Sequence, residues 1–340
     1  MVDSPDLRRA TIKEVAETAG VSRSTASRAL AGNGYVAEQV RLRVREAARE
    51  LGYVVDATAR SLKQQSSRLI GVLVSDLRNA FYADLASGAG RECSARGYTM
   101  MLIDASNSPD DELEAAEAFV ALRVAGVVGT PVSSGLTEFL ARQRTPVVEV
   151  DRQFAEGAND AVVVDNRGSA QTTTEHLLAL GHRRIALFID ETEWTTGRDR
   201  LAGYSQALAK AGIPVDPTLV VSTGWDVDAA IQAAISQLSG ADRPTAIFTA
   251  NNVLAEGAWR AAATLGLSVP DDLSLVSFDD APWMSMVTPG VTAVVQDAEQ
   301  LGATAVATLL ERIADPALPP RTVVLPAGLT VRGSTGSLRA

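Results

Sequence analysis

TIKEVAETAGVSRSTASRAL, running from Thr11 to Leu30, holds two short helical patterns joined at Ala19-Gly20. Thr11 with Glu14 three residues on is a capping box, which predicts a helix starting at Ile12. Ile12, Val15, Ala16 and Ala19 fall on one face of that helix. Gly20 can take a left-handed backbone and end it, and Ser22 can cap the next. In the second helix Ala26, Ala29 and Leu30 share the buried side. Arg23, Ser24, Ser27 and Arg28 fall within an arc of roughly 140° on the other side, with almost nothing apolar among them. A third amphipathic pattern, near Ala37–Leu51, carries Val40, Val44, Ala47, Ala48 and Leu51, and Gly52 stops it. Three short helices with a Gly-containing tight turn between the first two predict a helix-turn-helix unit. In such a unit the second helix enters the major groove of DNA. Arginine can pair with guanine O6 and N7, and short hydroxyls can bond phosphates without blocking the approach. DNA would then cover the face that no apolar residue covers. A solvated face on a small helical bundle is the bland alternative.

The charge distribution points the same way. Residues 1–68 hold 12 Lys/Arg against 8 Asp/Glu, whereas the other 272 residues hold 19 against 33. Only the N-terminal end of this acidic chain is suited to a polyanion. With 340 residues there is room for two or three domains. No apolar run is long enough to cross a membrane, and MVDSPDLRRA lacks the apolar centre of a secretory signal, so a cytoplasmic protein is expected. The single cysteine, Cys93, excludes an internal disulfide framework and suits packing in a helix. Two histidines, His176 and His182, leave little for a metal site, and both suit packing or loop hydrogen bonds. No cofactor or metal is expected.

From Arg68 the texture changes. Short β-branched runs (LIGVLV, YTMMLI, GVVGT, PVVEV and AVVV) alternate with helical patterns such as Tyr82–Arg96 and Asp110–Leu122. The pattern restarts with RIALFI, TLVVST, AIFTA, LSLVSF and TAVVQ. This is the signature of parallel sheets covered by helices. Two such lobes would hold a ligand cleft at their C-terminal strand edges. Polar residues cluster just after the strands: Asp76, Asn79, Phe81 and Tyr82; Asp151 and Arg152; Arg198 and Arg200; then Trp225, Asn251, Asp279 and Gln296. Carboxylate, guanidinium and amide groups can hold several hydroxyls in fixed geometry, and an aromatic face can pack a sugar ring. Each has a structural alternative: Asp279 as a helix cap, Arg200 as a surface ion pair, Trp225 as core. Trp259 reads as core or subunit contact. Phosphate-loop, GxSxG and zinc-spaced motifs are lacking, so an enzyme is not expected.

The chain resembles the lactose-repressor (LacI/GalR) family of bacterial transcription regulators. The likeness lies in the opening stretch, then VREAARELGYVVDATARSL, IGVLVSDLRNAFYADLASG, TTEHLLALGHRRIAL, RLAGYSQAL, AIFTANNVLAEGAWRA and LSLVSFDDAPW, in that order across residues 11 to 333. It implies an N-terminal all-α helix-turn-helix domain (1–55), a hinge helix and linker (56–67), and a two-lobed α/β domain with parallel sheets, similar to periplasmic binding proteins (68–340, changing lobe near 160). DNA contact is implied for Thr11, Ser22, Arg23, Ser24, Thr25, Ser27, Arg28, Tyr35, Tyr53, Ala59, Arg60 and Leu62. Leu62 matches the leucine that pries open a base step in the minor groove, and Asp56 would cap a short hinge helix of Ala57–Leu62. The family usually has Pro-Asn where this chain has Val55-Asp56, which places a negative charge near phosphates. Effector contact is implied for Asn79, Phe81, Asp151, Arg152, Arg200, Trp225, Asn251, Asp279 and Gln296. The implied partners are operator double-stranded DNA, a small sugar or polyol effector, and a second copy of the chain, as a homodimer or a tetramer. The implied function is a repressor released from its operator by that effector. A regulator with a purine co-repressor, a sugar-binding transport component and a sugar-acting enzyme are the other readings.

Overall fold

The computed structural model describes residues 10–31, 34–54, 67–154, 156–190 and 192–338. The chain divides into two compact units, Met1–Ser67 and Arg68–Ala340. The expected hinge residues Asp56, Ala59, Arg60 and Leu62 lie outside the described residues.

The first unit contains helices α1 (Ile12–Thr18), α2 (Arg23–Ala31) and α3 (Glu38–Glu50). The capping box forms: the Thr11 amide donates to Glu14 Oε2 at 2.7 Å, and the Glu14 amide to Thr11 Oγ1 at 3.4 Å. Gly20 has φ +65° and turns the chain, and the Thr25 amide donates to Ser22 Oγ at 3.1 Å. Val15, Ala16, Ala19, Ala26, Ala29, Val44, Ala47 and Ala48 make the core. Small residues where the helices cross let short elements pack closely. Leu51 does not join them. It caps α3 as the helix turns at Gly52 and is 37% exposed.

The second unit holds two six-stranded sheets, one per lobe. Strands β1 (Leu69–Val74), β2 (Thr99–Asp104), β3 (Gly126–Gly129), β4 (Val147–Val150) and β5 (Asp160–Val164) build lobe 1. Strands β6 (Ile185–Ile189), β7 (Val220–Ser222), β8 (Ala246–Thr249), β9 (Ser274–Phe278) and β10 (Thr292–Gln296) build lobe 2. Two strands were not expected from the sequence: β11 (Thr322–Leu325) and β12 (Ala327–Thr330). β11 pairs parallel with β5 in lobe 1, and β12 pairs antiparallel with β10 in lobe 2. The sheet orders are β11-β5-β4-β3-β1-β2 and β12-β10-β9-β8-β6-β7. The chain therefore passes between lobes three times: after Val164, after Gln296 and at Pro326. Strands β3, β4, β6, β8 and β9 are buried along their whole length, as expected when helices cover both faces.

Helices Ala80–Ala95 and Ala298–Ala314 cross in lobe 1 through glycines. A Cβ at Gly88 would meet the Glu299 carbonyl at 1.9 Å, and one at Gly302 the Leu85 carbonyl at 2.0 Å. Cys93 sits fully buried in this layer. In lobe 2 the His182 ring nitrogens bond Thr245 Oγ1 and Ser274 Oγ, each at 2.9 Å, and His176 Nε2 bonds Thr335 Oγ1 at 3.0 Å. Both histidines thus fasten loops and the C-terminal segment. Trp259 packs against Trp283 at 6.1 Å in the apolar layer of lobe 2.

Candidate DNA interface and effector cleft

On α2, Arg23, Ser24, Ser27 and Arg28 are all exposed, while Ala26 and Ala29 behind them are fully buried. Ser22 Oγ bonds both Ser24 Oγ and Thr25 Oγ1 at 2.9 Å, so the start of the helix is a connected hydroxyl network. Tyr35 is 92% exposed. Thr11 lies exposed at the α1 cap, and Tyr53 is half-buried against the core. Anionic phosphates near a helix N-terminus gain from its free amides and its dipole.

In the second unit the strand ends meet between the lobes. Asn79 caps the helix Ala80–Ala95 by accepting from the Phe81 amide at 3.1 Å. It also exchanges two hydrogen bonds across the cleft with Asn252, at 3.1 and 2.8 Å. Asp151 and Asp279 follow β4 and β9 with φ +72° and +66°. Such left-handed backbone is uncommon outside glycine and concentrates at functional sites. Asp279 caps no helix, since Ala281 stands at the cap position of Pro282–Met286. Asn79, Phe81, Tyr82, Asp151, Thr196, Arg200, Trp225 and Asp279 line a narrow cavity. The free space between these side chains is about 10 Å³, room for a single water.

Arg200, on the helix Thr195–Lys210, donates from Nε to Asn166 Oδ1 at 2.8 Å and from Nη1 to the Ala250 carbonyl. Its guanidinium lies 3.6 Å from the centre of the Phe278 ring. Burial raises the Asp279 and Asp190 carboxyls to about 6, against the opposing pull of Arg200. Burial raises Asp151 too, and Tyr82 donates to it at 3.4 Å. The Thr196 hydroxyl and the Trp225 indole N–H are buried and have no hydrogen-bond partner among the described residues.

Not every expected residue faces this cavity. Asn251 is fully buried behind it, capping the helix Asn252–Thr264 and donating to Asp190 at 3.1 Å. Gln296 donates to Asp279 and lines a neighbouring groove with Phe81 and Asp280. Arg152 is buried behind Trp225 and bonds Ser75 Oγ. Asp76 pairs with Arg78, and Arg198 with Glu156, at the surface. The sequence reading passed over Asp190, Trp194 and Thr196. Their signal was position alone: all three lie on the stretch that leaves β6, beside the expected Arg200.

Residues 11–56 match the bacterial regulatory proteins of the lacI family, and residues 174–335 match a periplasmic binding protein-like domain. The ribose operon repressor of Escherichia coli (strain K12) is 32% identical over 328 residues, covering 96% of this chain and 99% of that one. The chain belongs to the lacI family. This lacI-family chain is also 31% identical to the HTH-type transcriptional repressor PurR of Photobacterium profundum, over 90% of its length and 92% of that protein. Among solved structures, the lac repressor dimer bound to operator and the anti-inducer ONPF superposes with a TM-score of 0.86 at 28% identity, covering 97% of this chain and 100% of that one. A CelR–cellobiose complex gives 0.74 at 30% identity, covering 96% and 100%. The family and the fold stand as the sequence indicated: a helical DNA-binding head and a two-lobed domain of parallel sheets. This lacI-family regulator has no helix among its described residues long and apolar enough to cross a membrane.

Proposed function

We propose that this chain is a homodimeric transcriptional repressor that binds operator DNA through α2 and is released by a small sugar or polyol held between its lobes. The observation that carries the effector class is the mixture of hydrogen-bonding groups around the cavity. Asp151 and Asp279 offer acceptors, while Arg200, Thr196 and Trp225 offer donors, the last two without partners. A hydroxyl both donates and accepts, so a ring of hydroxyls satisfies such a set. Trp225 and Phe81 supply apolar faces for the ring carbons. On the DNA side, Ser22, Arg23, Ser24, Ser27 and Arg28 would meet the major groove, with Thr11, Thr25, Tyr35 and Tyr53 around them. Hinge contacts by Ala59, Arg60 and Leu62 belong to the same proposal.

The PurR relative favours a second reading, a purine co-repressor stacked on the cavity aromatics. Against it, Phe81 and Tyr82 stand edge to face at 76°, so they do not present two parallel faces to a base. The test is a thermal-shift screen of pentoses, hexoses, polyols, hypoxanthine and guanine on the full chain, followed by operator-fragment anisotropy with each hit. A sugar or polyol that raises the melting temperature and weakens operator binding is the expected result. A purine that tightens operator binding would overturn it in favour of the second reading.

A further inference from the structure

Trp194 and Thr195 belong to lobe 2, at the start of the helix Thr195–Lys210, yet their partners are in lobe 1. The Trp194 side chain is buried in a lobe 1 cluster with Leu73, Phe119, Val132 and Leu136. The Arg152 guanidinium, two residues past β4, lies 3.9 Å from the centre of its ring. The Thr195 amide donates to the Gln153 carbonyl at 3.3 Å, and the Gln153 amide donates to Thr195 Oγ1 at 2.9 Å. One short stretch of lobe 2 is therefore seated on one short stretch of lobe 1 by an apolar plug, a cation–π contact and two hydrogen bonds.

The same stretch shapes the cavity wall. Thr196 is its next residue, and Trp225 packs on Trp194 with ring centres 6.1 Å apart. Arg152 works against the seat. Its side chain is fully buried and bonds Ser75 Oγ, but Nε and Nη1 have no hydrogen-bond partner among the described residues. A buried cation with unmet donors carries a desolvation cost. Closure gains the burial of the Trp194 ring, whereas opening would let water reach the guanidinium. Opposing terms of this kind suit an element with two arrangements.

We propose that Trp194 and Thr195 form a clamp between the lobes, a positioning pair that holds the cleft edge shut and fixes Trp225 and Thr196 at the cavity. The proposal rests on the reading of this cleft as the effector site. Its test needs neither effector nor DNA, so its failure would leave the repressor reading standing. Hydrogen–deuterium exchange on the full chain reads segments 150–156 and 192–198 in the wild type and in Trp194→Ala, Trp194→Phe and Thr195→Val. Trp194→Ala should speed exchange at least tenfold in both segments, although only one carries the substitution. Trp194→Phe keeps a ring on the guanidinium and should stay within about threefold of the wild type. Thr195→Val should give a smaller rise in both. Faster exchange confined to 192–198 in Trp194→Ala and Thr195→Val would overturn the clamp and leave Trp194 as packing for its own loop. If Trp194→Ala fails to fold, Thr195→Val alone decides, since segment 150–156 must still respond.

Discussion

Asp279→Asn should stabilise this protein at neutral pH while weakening its response to effector. The carboxyl follows β9, is 7% exposed, and is raised by burial from 3.8 to about 6. Two units correspond to about 3 kcal/mol of preference for the neutral form in the fold. The folded state binds this proton more tightly than the unfolded one. Stability from the group is therefore full below about pH 4 and lost as pH rises through about 6. An amide carries no charge to desolvate, and its oxygen can still accept from Gln296. The variant should gain up to about 3 kcal/mol at pH 7.5, and the gain should shrink towards pH 4. Effector binding should move the other way. Replacing an ionised acceptor by a neutral one costs about 1.5–3 kcal/mol for hydroxyl donors, roughly tenfold to a hundredfold in affinity. Operator binding without effector should be unchanged, so the variant represses but is not released. Urea unfolding at several pH values, paired with effector titration, measures both effects. A loss of stability at pH 7.5 that does not vary with pH would refute the reasoning, because Arg200 would then already compensate the charge in full.

Other substitutions separate the two sites. Arg28→Ala should lose discrimination at one operator base pair, by about 1–3 kcal/mol, with little change on random DNA; equal losses on both by anisotropy would remove its base-reading role. Asn252→Leu deletes both amide bonds to Asn79 across the cleft and leaves a buried amide partly unmet, about 1–3 kcal/mol in the denaturation midpoint. An unchanged midpoint would mean that this pair adds nothing to the cleft. Gly302→Ala places a Cβ against the Leu85 carbonyl and should cost about 3 kcal/mol in thermal unfolding, as backbone cannot yield like a side chain.

The fold was legible wherever local pattern and burial agree. The capping box, Gly20 and Ser22 are written in adjacent residues, and ten strands showed as β-branched runs. β11 and β12 were hidden because their burial alternates weakly along an edge, and Pro326 between them reads as loop. Leu51 was misplaced because one residue past the helix end the chain turns away from the apolar stripe. At the site, strand ends pointed to Asp151, Arg200 and Asp279, but sequence cannot separate the first layer from the second. Asn251 turns to Asp190, and Arg152 to Ser75 and the Trp194 ring, all of which come from distant stretches. Trp194 itself was invisible as a functional residue, since its value lies in crossing from one lobe to the other.

The three passages between lobes have a consequence for synthesis. Lobe 1 gains its edge strand only from residues 322–325, and lobe 2 its own from 327–330. When synthesis has reached residue 300, neither sheet is finished. Both outer strands then arrive within a few residues of each other, on either side of Pro326. The two lobes are thus completed almost together, within residues 322–330, and a chain cut before Thr322 leaves two raw sheet edges, one on each lobe, open to pairing with other chains.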